Sequence, residues 1–414
     1  MKKILRTSVV GTVLLMWIAL CCALAAENAP PQRGLRTYAL HGNPNSADIS
    51  PDERLVVTVF SRSQQTDDPS KIKTTDVVQL WDFRQDKLIA ENVLREEIRD
   101  KGKPLTYARA EYVRYSADGQ LVIAYLDHCL YLLRGTDLRE VRRMQISGPP
   151  EVSHTYKTKS GPHPYVVKSE LAALELSPVE HQVAVVWVRG FAEAWVDIVQ
   201  FDSAQDTVWN TRERGLGWMN PTAVAWTSDG HQLVVAVPNE VACNSPGSTP
   251  DVFAVQPLSG AIQQKLTTGL LVGDIAVTPD SRVLVVDRDC VGVFENHHPP
   301  LRVFDLRTGK KIKELTGRGG GVRYAISVSR NGGRAVADTG IVKARFDWGD
   351  MVPFDVQGDS TFSVWNLKNY EGLVTSQNLM QRMSGRFRVD GQVPLRISPN
   401  GGFVLRGNSI YELP

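Results

Sequence analysis

One short turn recurs seven times along this chain and restricts its fold more than any other feature. In each copy a β-branched or aromatic run ends in Ser or Thr. A turn rich in Pro, Asp, Asn or Gly follows, and then a second apolar run. The turns begin at Ser50 (SPDE), Ser116 (SADG), Ser177 (SPVE), Thr227 (TSDG), Thr278 (TPDS), Ser329 (SRNG) and Ser398 (SPNG). Pro presets φ at an early turn position, Asp and Asn tolerate turn geometry, and Gly supplies positive φ. Such turns between apolar runs read as β-hairpins. The runs that follow are continuously apolar, as in Leu55-Val56-Val57-Thr58-Val59 and Gln232-Leu233-Val234-Val235-Ala236. Continuous rather than alternating apolarity implies burial on both faces, which stacked sheets provide.

A third strand comes next and often ends in an aromatic and a polar residue, as in VVQLWDFRQDK (77–87), LRVFDLRTGKK (301–311) and FSVWNLKNYEG (362–372). A more polar fourth strand closes several units. The turns lie 66, 61, 50, 51, 51 and 69 residues apart. Two sandwiches would show no such regular motif, whereas a ring of blades would. These residues resemble the WD-repeat family, and exported bacterial propellers with degenerate repeats are the nearer comparison. Trp81-Asp82, Phe304-Asp305 and Trp365-Asn366 stand where that family places its WD dipeptide, although no clear Gly-His pair opens the repeats. The resemblance covers roughly residues 36–414. It implies an all-β, seven-bladed β-propeller of four-stranded antiparallel blades. After Ser398 only two strands remain, so Gly34 to Leu40 is expected to supply the outer strand of the last blade and close the ring.

Residues 1–25 read as a signal peptide and 26–35 as a short linker. Lys2, Lys3 and Arg6 precede an apolar stretch from about Val9 to Ala26, and Ala23-Leu24-Ala25 has small residues at cleavage spacing. The expectation is export, to the periplasm or the extracellular medium, with no membrane span after cleavage. The whole chain is formally +2, and three of its positive charges but no negative one sit in this segment, which leaves −1. A mature charge of −1 offers no field to attract nucleic acid. Cys129, Cys243 and Cys290 remain. Cys129 lies in a buried-looking strand and reads as a core thiol. Cys243 and Cys290 fall in neighbouring loops and form the disulfide candidate.

A WD-type blade needs about 40–45 residues, and the excess here collects in segments 61–76, 95–108, 146–168, 238–251, 287–300, 339–361 and 376–392. They lie after second strands or between blades, so they emerge on one face. Long loops on a rigid scaffold usually carry function. The candidate binding residues are therefore His154 and His163, then Asp287, Asp289, His297 and His298, then Arg345, Phe346, Asp347, Trp348, Asp350 and Phe354. Aromatics among a few charges resemble an interface hot spot. Adjacent His297 and His298 point apart in an extended segment, His154 and His163 lack tight ligand spacing, and two carboxylates do not make a calcium site. No resident metal or cofactor is expected.

The sequence contains no G-x-S-x-G elbow, H-E-x-x-H helix or C-x-x-C-H haem motif. The reading is an exported, non-catalytic binding or scaffold propeller, monomeric, with a protein or envelope partner on its long-loop face. The alternative is a metal-dependent hydrolase or lactonase with calcium in the central channel.

Overall fold

All seven turns fold as hairpins that join the first and second strands of a blade. The computed structural model describes residues 35–42, 44–103, 112–146, 152–158, 161–167, 169–179, 181–189, 193–201, 209–210, 223–237, 251–257, 259–268, 272–287, 301–315, 325–338, 342–346, 353–358, 362–375 and 395–414. Seven four-stranded antiparallel sheets follow one another as blades. Blade 1 runs from Ser46–Ile49 to Lys87–Asp100, blade 2 from Tyr112–Tyr115 to Glu140–Gln145, and blade 3 from Ser169–Leu176 to Trp209–Asn210. Blade 4 runs from Ala223–Trp226 to Ile262–Thr267, blade 5 from Val272–Val277 to Lys311–Leu315, and blade 6 from Ile326–Val328 to Glu371–Thr375. Blade 7 takes Leu395–Ile397, Phe403–Arg406 and Ser409–Glu412 from the end of the chain and Thr37–Ala39 from its beginning. Tyr38 stands opposite Ile410, and its hydroxyl donates to Glu412 at 3.0 Å, so the closing strand lies where the sequence places it.

The core is the series of clefts between adjacent blades. Val57, Val78 and Leu80 of blade 1 pack on Val122, Ala124 and Leu133 of blade 2. Val183 and Trp187 of blade 3 pack on Ile123 and Leu130 of blade 2. Phe83 and Ile49 of blade 1 meet Phe403 and Leu405 of blade 7, which completes the ring. Second strands face a neighbour on each side, hence their uninterrupted apolar runs. Each such Val or Leu contributes about 1.5–3 kcal/mol on burial.

The turns are built alike. In blades 1, 2 and 4 the first hydroxyl donates to a carboxylate two residues on: Ser50 to Asp52, Ser116 to Asp118 and Thr227 to Asp229, each at 2.6 Å, and in blade 6 Ser329 donates to Asn331 Oδ1 at 2.7 Å. The same oxygen accepts the amide that opens the second strand, as at Leu55, Leu121 and Gln232. At the other turns on this face, Asp82 caps the amides of Arg84 and Gln85, and Asp305 caps that of Thr308. The acid of the WD-like dipeptide thus organises the third-to-fourth turn here. In blades 1, 2, 4, 5 and 6 the fourth strand then opens with a register shift against the third. A bulge there bends the outer strand and blunts its free edge.

Two expectations need correction. Segment 61–76 is not a loop: Leu55–Gln65 and Lys71–Asp82 run on as paired strands to a short tip, and the outer strand continues to Asp100. Its Ser, Thr, Gln and Lys residues look like a loop, but cross-strand pairing satisfies their backbone. Cys129 is not a core thiol. It opens a strand at a turn, is half-buried, and donates its Sγ–H to Gln145 Oε1 at 3.0 Å. Cys243 and Cys290, and any bridge between them, lie outside the described residues.

Candidate functional site

Connections in an up-and-down blade alternate between the two faces of the ring. One face holds the first-to-second and third-to-fourth turns. The other holds the second-to-third and inter-blade connections, and there, among the described residues, part of the excess forms paired β-strands. In blade 1, five residue pairs from Ser61 opposite Asp76 to Gln65 opposite Ile72 extend past the last pairing of the inner strand, Ser46 with Val59. At ~3.3 Å per residue that is an overhang of ~17 Å. Ser61 donates to Asp76, Ser63 and Thr74 share a hydrogen bond of 3.0 Å, and Lys73 pairs with Glu96 at 2.7 Å. At the tip Asp68 takes the amide and hydroxyl of Ser70, which hold its carboxyl below the usual range.

Two further hairpins rise from the same face. Val152–Thr158 pairs with Gly161–Val167 between blades 2 and 3. Val342–Phe346 pairs with Pro353–Gly358 between the second and third strands of blade 6. These ribbons carry several of the candidate residues. His154 stands opposite Tyr165, and His163 opposite Tyr156. Arg345 stands opposite Asp355 and Phe346 opposite Pro353, with a register shift between them, and Phe354 follows on the second strand. Asp287 ends the second strand of blade 5, opposite Val272. Asp289, His297, His298, Asp347, Trp348 and Asp350 lie outside the described residues.

Sequence reasoning missed the residues that stitch blades 1 to 3 together beneath this face. Arg95 on the outer strand of blade 1 pairs with Asp127 in the turn of blade 2 at 2.7 Å. His128 of that turn stacks on Trp187 of blade 3, with centroids 5.3 Å apart, and Trp187 Nε1 donates to Asp197 at 2.7 Å. Asp127 and His128 both have positive φ, the tight-hairpin signature that could have marked this turn.

The central channel was missed too. Asp48, Arg114, Glu175, Ser327 and Arg396 each stand two residues before the turn hydroxyl of their blade, and Asp274 stands four before. The period of two puts them on one face of the inner strands, away from the core residues that alternate with them. Several bind a neighbouring blade. Asp48 Oδ2 accepts the Tyr115 amide at 2.9 Å, Asp274 Oδ2 the Ile326 amide at 3.0 Å, and Ser327 Oγ the Ile397 amide at 3.2 Å. Arg396 of blade 7 crosses to Glu175 of blade 3 at 3.1 Å.

These side chains sit deep in the protein yet keep some contact with solvent. Burial pushes Asp274 up to about 7, against the pull of the Ile326 amide and Arg396. Burial likewise raises Asp48, although Arg114 and Arg396 pull it down. Arg114 falls to about 10 through burial and then through repulsion by Arg396. Burial alone would lower Arg396, but Glu175, Asp48 and Asp274 hold it above its usual value. Among the described residues no three His, Cys, Asp or Glu side chains are placed to hold a metal ion. The channel carboxylates instead take amide or guanidinium donors, an arrangement suited to locking blades together.

A chain of the mitotic checkpoint complex shares this fold at 12% identity and TM-score 0.53, over 93% of this chain and 94% of that one. The β-propeller domain of Myceliophteria thermophila Cps50 (Swd1) matches at 10% identity and TM-score 0.53, over 91% and 98%. The fold is a seven-bladed β-propeller of four-stranded antiparallel blades. Hydrazine synthase of Kuenenia stuttgartiensis contains a chain of similar shape, at 13% identity and TM-score 0.54 over 93% and 99%. No protein-family profile matches the propeller, and no curated protein matches it. At these identities the likeness is one of fold, which hosts complexes and enzymes alike. Among the described residues no helix is long and apolar enough to cross a membrane.

Proposed function

We propose that this chain is an exported, non-catalytic binding or scaffold propeller that recognises a protein or envelope component through its long-loop face. The observation that carries this reading is the asymmetry of the ring. Among the described residues one face is trimmed to tight turns, and the other carries an overhanging blade and two additional hairpins. Ordered ribbons present side chains at lower entropic cost than open loops, so they suit recognition. The candidate cluster Arg345, Phe346, Asp347, Trp348, Asp350 and Phe354 belongs to the blade 6 insertion. His154 and His163 belong to the other hairpin. The fold likeness to a chain of a checkpoint complex supports a role in assembly.

The test is a pull-down from envelope extract with the mature chain beside a folded variant with Phe346, Trp348 and Phe354 changed to alanine. The expected result is a stoichiometric partner captured by the first and lost with the second. A partner held equally by both chains would remove the blade 6 insertion from the interface. Capture of no partner by either chain would overturn the reading.

A further inference from the structure

The seven residues that follow the turn hydroxyls are Pro51, Ala117, Pro178, Ser228, Pro279, Arg330 and Pro399. Six are small or cyclic, and blade 6 alone carries a long cation. Arg330 reaches to the opposite side of the ring, where its Nη1 donates to the Ala117 carbonyl of blade 2. Among the described residues that is its one hydrogen bond, and it makes no ion pair there. Asp118 is close by but turns its Oδ1 to the Ser116 hydroxyl at 2.6 Å and the Gln120 amide at 3.0 Å. The residue stays exposed, although partial burial lowers its pKa.

Beside it lies a cavity of about 300 Å3 between the turns of blades 2 and 3. Leu176, Pro178, Val179 and Phe201 form its apolar wall, and His181 stacks on Phe201 at 5.4 Å. Val179 is 58% exposed. Every other exposed large apolar side chain among the described residues lies on an outer strand, from Leu88 in blade 1 to Leu373 in blade 6. Among the described residues, a guanidinium without an ion-pair partner beside an uncovered apolar wall is therefore peculiar to this place on the tight-turn face.

We propose that this cavity is a second binding site, which takes a monocarboxylate attached to a compact apolar group, with Arg330 as the carboxylate partner. The planar fork of Arg matches a carboxylate. Asp118 and Asp48, both close enough to act on Arg330, disfavour a dianion such as phosphate. A small molecule and the C-terminus of a peptide with an apolar last residue both present this chemistry.

Calorimetric titration of the purified full-length protein with N-acetyl-leucine, N-acetyl-leucine amide and a pentapeptide ending in free leucine tests this. Saturable binding of a free acid is expected, weakening as salt rises and falling at least about tenfold for the amide and for Arg330→Gln. Tighter binding of the pentapeptide would identify a peptide terminus as the source, and equal binding a small molecule. Val179→Asp should weaken both ligands without altering the melting temperature of the ring, and Arg330→Gln should melt as the parent does. Failure of both acids to bind, or equal binding by the amide or by Arg330→Gln, would overturn the proposal. The hairpin variant described above should bind these ligands as the parent does, because Phe346 and Phe354 belong to a hairpin on the opposite face.

Discussion

Single residues decide how neighbouring blades meet. Gly332 has φ +66° and lies against the preceding turn, where an added Cβ would come 2.6 Å from Cδ of Pro279. That ring cannot rotate away as a flexible side chain would. Gly332→Ala should therefore cost about 1–3 kcal/mol, read as a lower urea midpoint with an unchanged slope. Asp274 is a second decisive residue. Its folded-state pKa is raised to about 7 from 3.8, so ionisation opposes folding. Its contribution to stability is fully present below about pH 4 and is lost as pH rises towards 7. Asn at this position keeps an acceptor but cannot ionise. The melting temperature of Asp274→Asn should gain on that of the parent by about 2–4 °C between pH 4 and pH 7.5. Parallel melting curves across that range would show that the carboxyl is not held neutral.

At the scale of the element, the closing strand Thr37–Ala39 matters most. It covers the edge of Ser409–Glu412, and Tyr38 packs edge-on against Phe83 of blade 1 at 5.4 Å. Removing residues 27–40 should lower the melting temperature by at least about 5 °C and promote self-association through the uncovered edge. Scanning calorimetry and size-exclusion chromatography check both, and an unchanged melt would mean that the ring closes without this strand. The overhang of blade 1 behaves differently. Its rows beyond Phe60 have no inner strand beneath them, so trimming Arg62–Thr75 to a two-residue turn should leave the melt within about 2 °C of the parent. A larger drop would make the overhang a structural part of the ring.

Across the whole molecule, the bridge from Arg396 to Glu175 ties blade 7 to blade 3 over the channel. Both side chains are mostly buried, at 23% and 31% exposure. Removing one partner leaves the other charge uncompensated. Arg396→Met and Glu175→Gln should each destabilise by about 1–3 kcal/mol, the lower end reflecting the residual solvent in the channel. The double variant should cost less than the two changes added together, and chemical denaturation of the four proteins measures the difference. Strict additivity would mean that the pair does not couple opposite sides of the ring.

Much of this architecture was legible before any coordinates. The seven Ser/Thr turns, the doubly buried second strands and the unpaired first segment are local patterns, and local chemistry enforces each of them. Hydroxyl-to-carboxylate hydrogen bonds close the turns of blades 1, 2, 4 and 5, and hydrophobic burial on two faces selects runs such as Val56-Val57 and Leu233-Val234. The channel was not legible. A charge at every second position of a short strand reads as a solvent-facing residue, and only the closure of seven blades turns those positions inward to face one another. The overhang was missed because its polar strands depend on partners across the sheet rather than on an apolar pattern. The reach of Arg330 to Ala117 was also beyond local reading, since 213 residues separate them. The sequence by itself determined the seven turns, the doubly buried second strands that follow them and the strand that closes the ring. The tertiary structure decided which charges meet, because ring closure brings opposite blades within the length of one side chain.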